Sequence, residues 1–159
     1  MSELADLLER FRRGPELIAV ATTGASNVEI DFVPAAGAWS VRQICSHVAD
    51  SELVSAARFR WVLAEEHPTI MAFDQDAWAR SLGYEHRRIS QALDTFRHLR
   101  NESYELLKSQ PEAVFSRTAN HSKRGTITVL DLLRLMADHA EKHSQQILRT
   151  REQYKASKQ

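Results

Sequence analysis

Two histidines four residues apart, His139 and His143, lie in a segment whose other residues sort into an apolar and a polar side at helical spacing. At ~100° per residue, Val129, Leu132, Leu133, Leu135, Met136, Ala140 and Ile147 share one broad side. Arg134, Asp138, Glu141, Lys142, Gln145 and Arg149 gather on the other. Both histidines fall on the apolar side, with Gln146 close by. Side chains at i and i+4 on a helix stand roughly 6 Å apart at Cβ, so two ring nitrogens can reach one ion through bonds of ~2.1 Å. A lone inward histidine is more often a hydrogen-bonded core residue than a ligand. Two stacked in an apolar layer are harder to satisfy, because each must find a polar partner or a cation. The pair is not the His-Glu-x-x-His of zinc proteases, since Ala140 stands where that motif places its general base.

A third imidazole comes from an earlier helix. There the apolar stripe is Val41, Ile44, Cys45, Val48, Phe59, Val62 and Leu63, and His47 lies at its edge, about two turns into the helix. Asp50, Ser51, Val54 and Arg58 continue along that edge. One imidazole facing two from another helix would cap an ion on one side and leave coordination positions open. Open positions distinguish a catalytic metal site from a structural one.

These side chains need helices to hold them, and the chain supplies four. The first is expected from about Glu3 to Thr23, kinked or split at Gly14-Pro15. Residues 24–38 read as loop, although 29–33 alternate and could lie extended. Ser40 and Gln43 form a capping box for the second helix, with Trp39 and Ile44 at the staple positions; Pro68 ends it near Glu66. A connector covers Ile70 to Gly83, and the third helix is expected from Tyr84 to Ser109. A polar stretch, Ser116 to Gly125, leads to a cap at Thr128 and a last helix to about Gln153. Four amphipathic helices in 159 residues predict an all-α, single-domain bundle over 1–159.

Longer motifs carry a resemblance. Gly37-Ala38-Trp39-Ser40-Val41-Arg42-Gln43-Ile44, with His47 three residues on, resembles the Trp-Ser-x-x-(Glu/Gln)-(Ile/Leu)-x-x-His opening of the DinB/YfiT-like family. The run from Asp138 to Ile147 is similar to its closing His-x-x-x-His-x-x-Gln-Ile signature, and Gly125 to Leu133 to its lead-in to the last helix. The resemblance covers nearly the whole chain. It implies a four-helix bundle of up-down-down-up type, in which His47, His139 and His143 bind one nickel, zinc, iron or manganese ion. It also implies a homodimer. Relatives of this kind include transferases and isomerases that use a low-molecular-weight thiol as cosubstrate, as well as metal hydrolases.

Composition narrows the field. Acidic and basic residues number 21 each, which argues against a nucleic-acid or membrane-surface binder. A single cysteine excludes an internal disulfide and fits a reducing, cytoplasmic setting. The acidic start Met1-Ser-Glu-Leu-Ala-Asp is unlike a signal peptide, and no apolar run reaches a membrane span.

Other residues keep two readings. Asp50 either orients His47 or is an ordinary surface acid; Arg58 either meets an anionic group or forms a surface salt bridge. Glu52 falls within the apolar stripe, so pairing with a core arginine is expected. Asp74, Asp76 and Trp78 fit a short capped turn, and His121 a solvated loop. His98 is expected to be exposed, His67 and His86 to sit at helix ends, and Cys45 to be a core thiol. The functional expectation is a metal-dependent transferase or hydrolase acting on a small molecule. The alternatives are a non-enzymatic metal or small-ligand binding protein related to stress, and an interaction domain with structural histidines.

Overall fold

In a computed structural model that describes residues 2–159, the first helix is split as its Gly-Pro step predicts. Helix α1 spans Glu3–Arg12 and α2 spans Gly14–Thr22, with Pro15 in the first turn of α2, where its missing N–H costs nothing. A one-turn helix, α3 (Asn27–Ile30), follows under a Ser26 cap. The extended reading of 29–33 is thus corrected: the Ser26 hydroxyl accepts the Glu29 N–H and starts a helical turn that buries Ile30. Helix α4 (Val41–Ala64) begins with the Ser40–Gln43 capping box, both hydrogen bonds of which are present. Next come β1 (Thr69–Ile70), α5 (Gln75–Ser81), a 3-10 turn at Tyr84–His86 and α6 (Ile89–Lys108). The third helix therefore starts five residues later than expected. Helix α7 (Val129–Ala156) opens with a second capping box, Thr128 with Asp131.

The stretch expected to be polar loop is a hairpin. Strand β2 (Thr118–His121) pairs antiparallel with β3 (Gly125–Thr128) and parallel with β1. The turn between β2 and β3 is closed by Gly125 at φ +73°, a left-handed conformation that glycine adopts without a Cβ penalty. Around this minor sheet the fold is an all-α four-helix bundle.

Contacts set the helix directions. Glu3 pairs with Arg134, Arg10 with Asp138 and Glu141, and the Ala21 carbonyl accepts from Arg151. Both segments advance together, so α1–α2 runs parallel to α7. Helices α4 and α6 both lead to strands of the sheet from which α7 departs, so they are parallel to each other and opposed to α7. The order is up-down-down-up. Two parallel neighbours demand a connection that returns along the bundle, and residues 65–88 form it. No described helix is long and apolar enough to cross a membrane.

Two apolar clusters fill the interior. One contains Leu7, Phe11, Phe59, Leu107, Phe115 and Leu133; the other contains Ile18, Ile44, Val48, Phe96 and Ile147. Arg100 spans them, its guanidinium 4.0 Å from the Phe11 ring centroid and 4.8 Å from that of Phe96. It makes a two-pronged pair with the fully buried Glu52, both bonds 2.8 Å, which is the core pairing expected for that carboxylate. Gly14 lets α2 approach this layer. A Cβ there would overlap Arg100 Nη1 and lie 3.0 Å from Ala140 Cβ. Helix propensity alone favours alanine over glycine by about 1 kcal/mol. Here the overlap dominates, because Arg100 Nη1 is committed to the Phe11 carbonyl at 2.7 Å. Gly14→Ala should lower unfolding free energy by about 1–3 kcal/mol, read from the urea midpoint; a gain would show that α2 shifts freely.

Candidate metal centre

His47 projects from α4, and His139 and His143 from successive turns of α7. Their Nε2 atoms meet. Those of His47 and His143 each lie 3.1 Å from Nε2 of His139, and a ligand atom from every ring lies within 4.8 Å of the others. Two donors ~2.1 Å from a shared ion, at angles between octahedral and tetrahedral, stand ~3.0–3.4 Å apart. Both spacings that involve His139 fit. His143 Nδ1 donates to Gln146 Oε1 at 2.7 Å, which leaves its Nε2 as a bare lone pair facing His139. The His47 ring lies 4.9 Å from that of Trp39, and Ser51 Oγ is 3.4 Å from its Nδ1. With Nε2 of His143 bare, His139 has at most one N–H to divide between two neighbours, whereas a cation accepts a lone pair from all three rings.

Electrostatics keeps the lone pairs available. Burial, then the neighbouring His143, pushes the His47 pKa down to about 3. Burial, then His143 and His47, pushes His139 to about 2. His143 is also lowered by burial, partly offset by its bond to Gln146. An unfolded histidine titrates near ~6.5, so below that pH the unfolded chain binds more protons than the folded one. The associated stability is complete above pH ~6.5 and declines as acid approaches the folded-state values. Chelator-treated protein should therefore show a urea midpoint that falls steadily from about pH 7 to about pH 5. A flat profile would mean that the rings are not held neutral.

The model of the DinB superfamily matches residues 10–147, a span that contains all three histidines. The chain belongs to the DinB superfamily. A protein of Oceanobacillus iheyensis named "putative metal-dependent hydrolase" is 27% identical over 129 residues, 81% of this chain and 74% of the relative. One of Bacillus mycoides with the same description is 29% identical over 138 residues, 87% and 79% of the two chains. Among solved structures, YfiT from Bacillus subtilis is described as "a probable metal-dependent hydrolase with an unusual four-helix bundle topology". It matches with a TM-score of 0.87 at 25% identity, over 94% of this chain and 87% of its own.

The remaining residues of this DinB chain are placed unevenly. Gln146 is at the centre, on His143. Asp50 does not orient His47: its two oxygens accept from Arg87 Nη1 at 2.6 Å and Tyr84 Oη at 2.8 Å. That places it as a clamp on the end of the returning connection. Among the described residues Arg58 forms no salt bridge; it donates to the Met71 carbonyl and lines a cavity of about 320 Å³ with His47 and His139. A second cavity, about 510 Å³, is lined by Trp39, His143 and Gln146. Gln75 borders both, so the connection passes over the histidines.

His121, expected as a solvated loop residue, is only 6% exposed and lines the first cavity. Its Nδ1 accepts the backbone N–H groups of Lys123 and Arg124, so the turn holds it inward. Asp74 caps α5 and Trp78 packs on Phe73 at 4.6 Å, as a capped turn requires. Cys45 is buried in the core, its thiol pushed up to about 12 by burial. His67, His86 and His98 are exposed. Missed at the sequence level were Lys123 and Arg124 at the first cavity, and Trp39 as a neighbour of His47 as well as a staple.

Gln146 sets the tautomer of His143, and partners of this kind are worth roughly 10–100-fold in metal affinity. Gln146→Ala should weaken zinc binding by about that factor in a competition titration with a chromophoric chelator. Glu at the same position should retain most of the affinity. Equal affinities for the wild type and the alanine variant would separate the hydrogen bond from any role at a metal.

Proposed function

We propose that this DinB protein is a metal-dependent enzyme that holds one divalent ion on Nε2 of His47, His139 and His143 and hydrolyses a small molecule. The convergence of three neutral imidazole nitrogens at 3.1 Å steps carries the reading. An all-imidazole donor set suits zinc, nickel or iron, and manganese less well. When bound, the ion supplies positive charge that lowers the pKa of an oxygen or sulfur nucleophile and stabilises a developing anion. The protein's part is to keep the rings unprotonated by burial, to fix His143 through Gln146, and to set His47 and His139 at the wall of a cavity.

A second reading, transfer of a low-molecular-weight thiol to an electrophile, is supported by the two cavities that reach the centre, one for each reactant. A homodimer and a cytoplasmic location belong to the same proposal.

Elemental analysis of purified protein comes first, with one ion per chain expected. Reloaded protein is then offered an activated ester, and separately an electrophile with and without a small thiol. Ester turnover that chelation abolishes and metal restores is the expected result. Turnover confined to the thiol-containing mixture shifts the reaction to transfer. Stoichiometric metal with no turnover above free ion leaves a metal-binding protein, and absence of metal overturns the proposal.

A further inference from the structure

The cavity beside His47 and His139 carries a charge that the metal centre does not account for. Arg58 of α4 and Lys123 and Arg124 of the β2–β3 turn all line it, and no acidic residue does. Over the whole chain acids and bases balance, so this is a local separation of charge. Most other arginines at helix contacts face a carboxylate: Arg10, Arg42, Arg87, Arg100, Arg134 and Arg151 each pair with one. Among the described residues, Arg58, Lys123 and Arg124 form no ion pair within 4.0 Å. The Nε of Arg58 is buried and has no hydrogen-bond partner in the protein. A buried guanidinium donor is costly to leave unmade, and like charges gathered at a cavity raise the local concentration of an anion. Arg58 is itself held below its ordinary pKa by burial and by Arg124, which places the two in one field.

Leu132, Leu135, Met136 and Phe73 give the same cavity an apolar lining. A volume of about 320 Å³ is that of a small-molecule site. His121 adds one neutral donor. Its Nδ1 is occupied by backbone N–H groups, so its proton resides on Nε2. The geometry points to this cavity as a binding site for a small amphiphilic acid: a carboxylate or phosphate on Arg58, Lys123 and Arg124, with an apolar body against Leu132, Leu135 and Met136. The middle of such a molecule faces His47 and His139, so the inference names the substrate class for the reaction proposed above and rests on that reading for its catalytic meaning. The binding itself needs no ion. Guanidinium recognises both head groups through paired N–H donors, and neither is excluded by the residues present.

Calorimetric titration with hexanoate, hexyl phosphate and 1-hexanol tests it, on chelator-treated and on zinc-loaded protein. One or both acids should bind at least about tenfold tighter than the alcohol in both preparations, because hydrogen bonds to a charged group are the stronger ones. The tighter of the two identifies the head group. Lys123→Gln with Arg124→Gln, in an exposed turn, should remove about tenfold while zinc content stays at the wild-type level. Arg58→Gln should do the same; because Arg58 also holds Met71, the turn variant decides if Arg58→Gln disturbs the fold. Equal binding of acid and alcohol, or acid binding untouched by the turn variant, overturns the inference. Discrimination by chelator-treated protein upholds it even if no metal is found, whereas zinc loading without discrimination leaves the metal reading intact and this one rejected.

Discussion

Replacing His139 with alanine should abolish binding of the ion proposed for the three histidines. His139 is the middle of the three: its Nε2 is the atom to which both other Nε2 atoms lie 3.1 Å away. Without it, His47 on α4 and His143 on α7 remain as a pair with one fewer donor, and affinity should drop by well over about 100-fold, since even loss of an outer partner costs 10–100-fold. Two readouts separate this from simple damage to the core. Zinc at about 1,000 times its dissociation constant should stabilise the wild type by about 4 kcal/mol through mass action, and should leave the variant unmoved. Without metal the stability of the variant should fall less steeply with acid than that of the wild type, because the substitution removes an imidazole whose burial opposes protonation. A variant that still carries one ion per chain would place the metal elsewhere.

Arg100→Ala should be the most destabilising single change in the bundle. The pair with Glu52 is buried on both sides, 1% and 0% exposed. Arg100 also donates to the Phe11 carbonyl at 2.7 Å and the Met136 carbonyl at 3.3 Å. Removing one partner of a buried pair strands the other charge, at a cost of about 3–5 kcal/mol. Replacing both with apolar residues of similar size, Glu52→Leu with Arg100→Met, removes the stranded charge and can be neutral or even stabilising by about 1–4 kcal/mol. Two carbonyls still lose a donor in the double variant, so the lower part of that range is expected. Urea denaturation of the two single variants and the double variant measures the coupling. A cost below about 1 kcal/mol for Arg100→Ala would mean that water reaches the pair.

Helix identity and several boundaries were legible because they rest on local chemistry. Ser40 with Gln43 and Thr128 with Asp131 mark helix starts through side chains three residues apart, and the Gly14-Pro15 step marks a break. The three histidines were legible for the same reason, since a helical repeat places each on a face. What depends on distant partners was not. Strand β2 is four residues long, and its parallel partner β1 is two residues about fifty positions upstream, too short for any alternation to register. With the hairpin unseen, His121 read as solvated and Lys123 and Arg124 were not considered, although the fold sets all three at the cavity. Asp50 sits one turn beyond His47 in sequence, yet its carboxylate is engaged by Tyr84 and Arg87, more than thirty residues away. Glu52 was the intermediate case: its place in an apolar stripe demanded an arginine, but nothing local singled out Arg100.

The parallel course of α1–α2 and α7 has a consequence for biosynthesis. The N-terminal helices emerge first from the ribosome, yet Glu3, Arg10 and the Ala21 carbonyl find their partners at Arg134, Glu141 and Arg151, near the opposite end of the chain. Nascent polypeptide can form isolated turns and caps, but the last helix must be translated before either interior cluster closes. His47 likewise waits for His139 and His143. Assembly of the bundle therefore waits for α7, whichever of the earlier helices is made first.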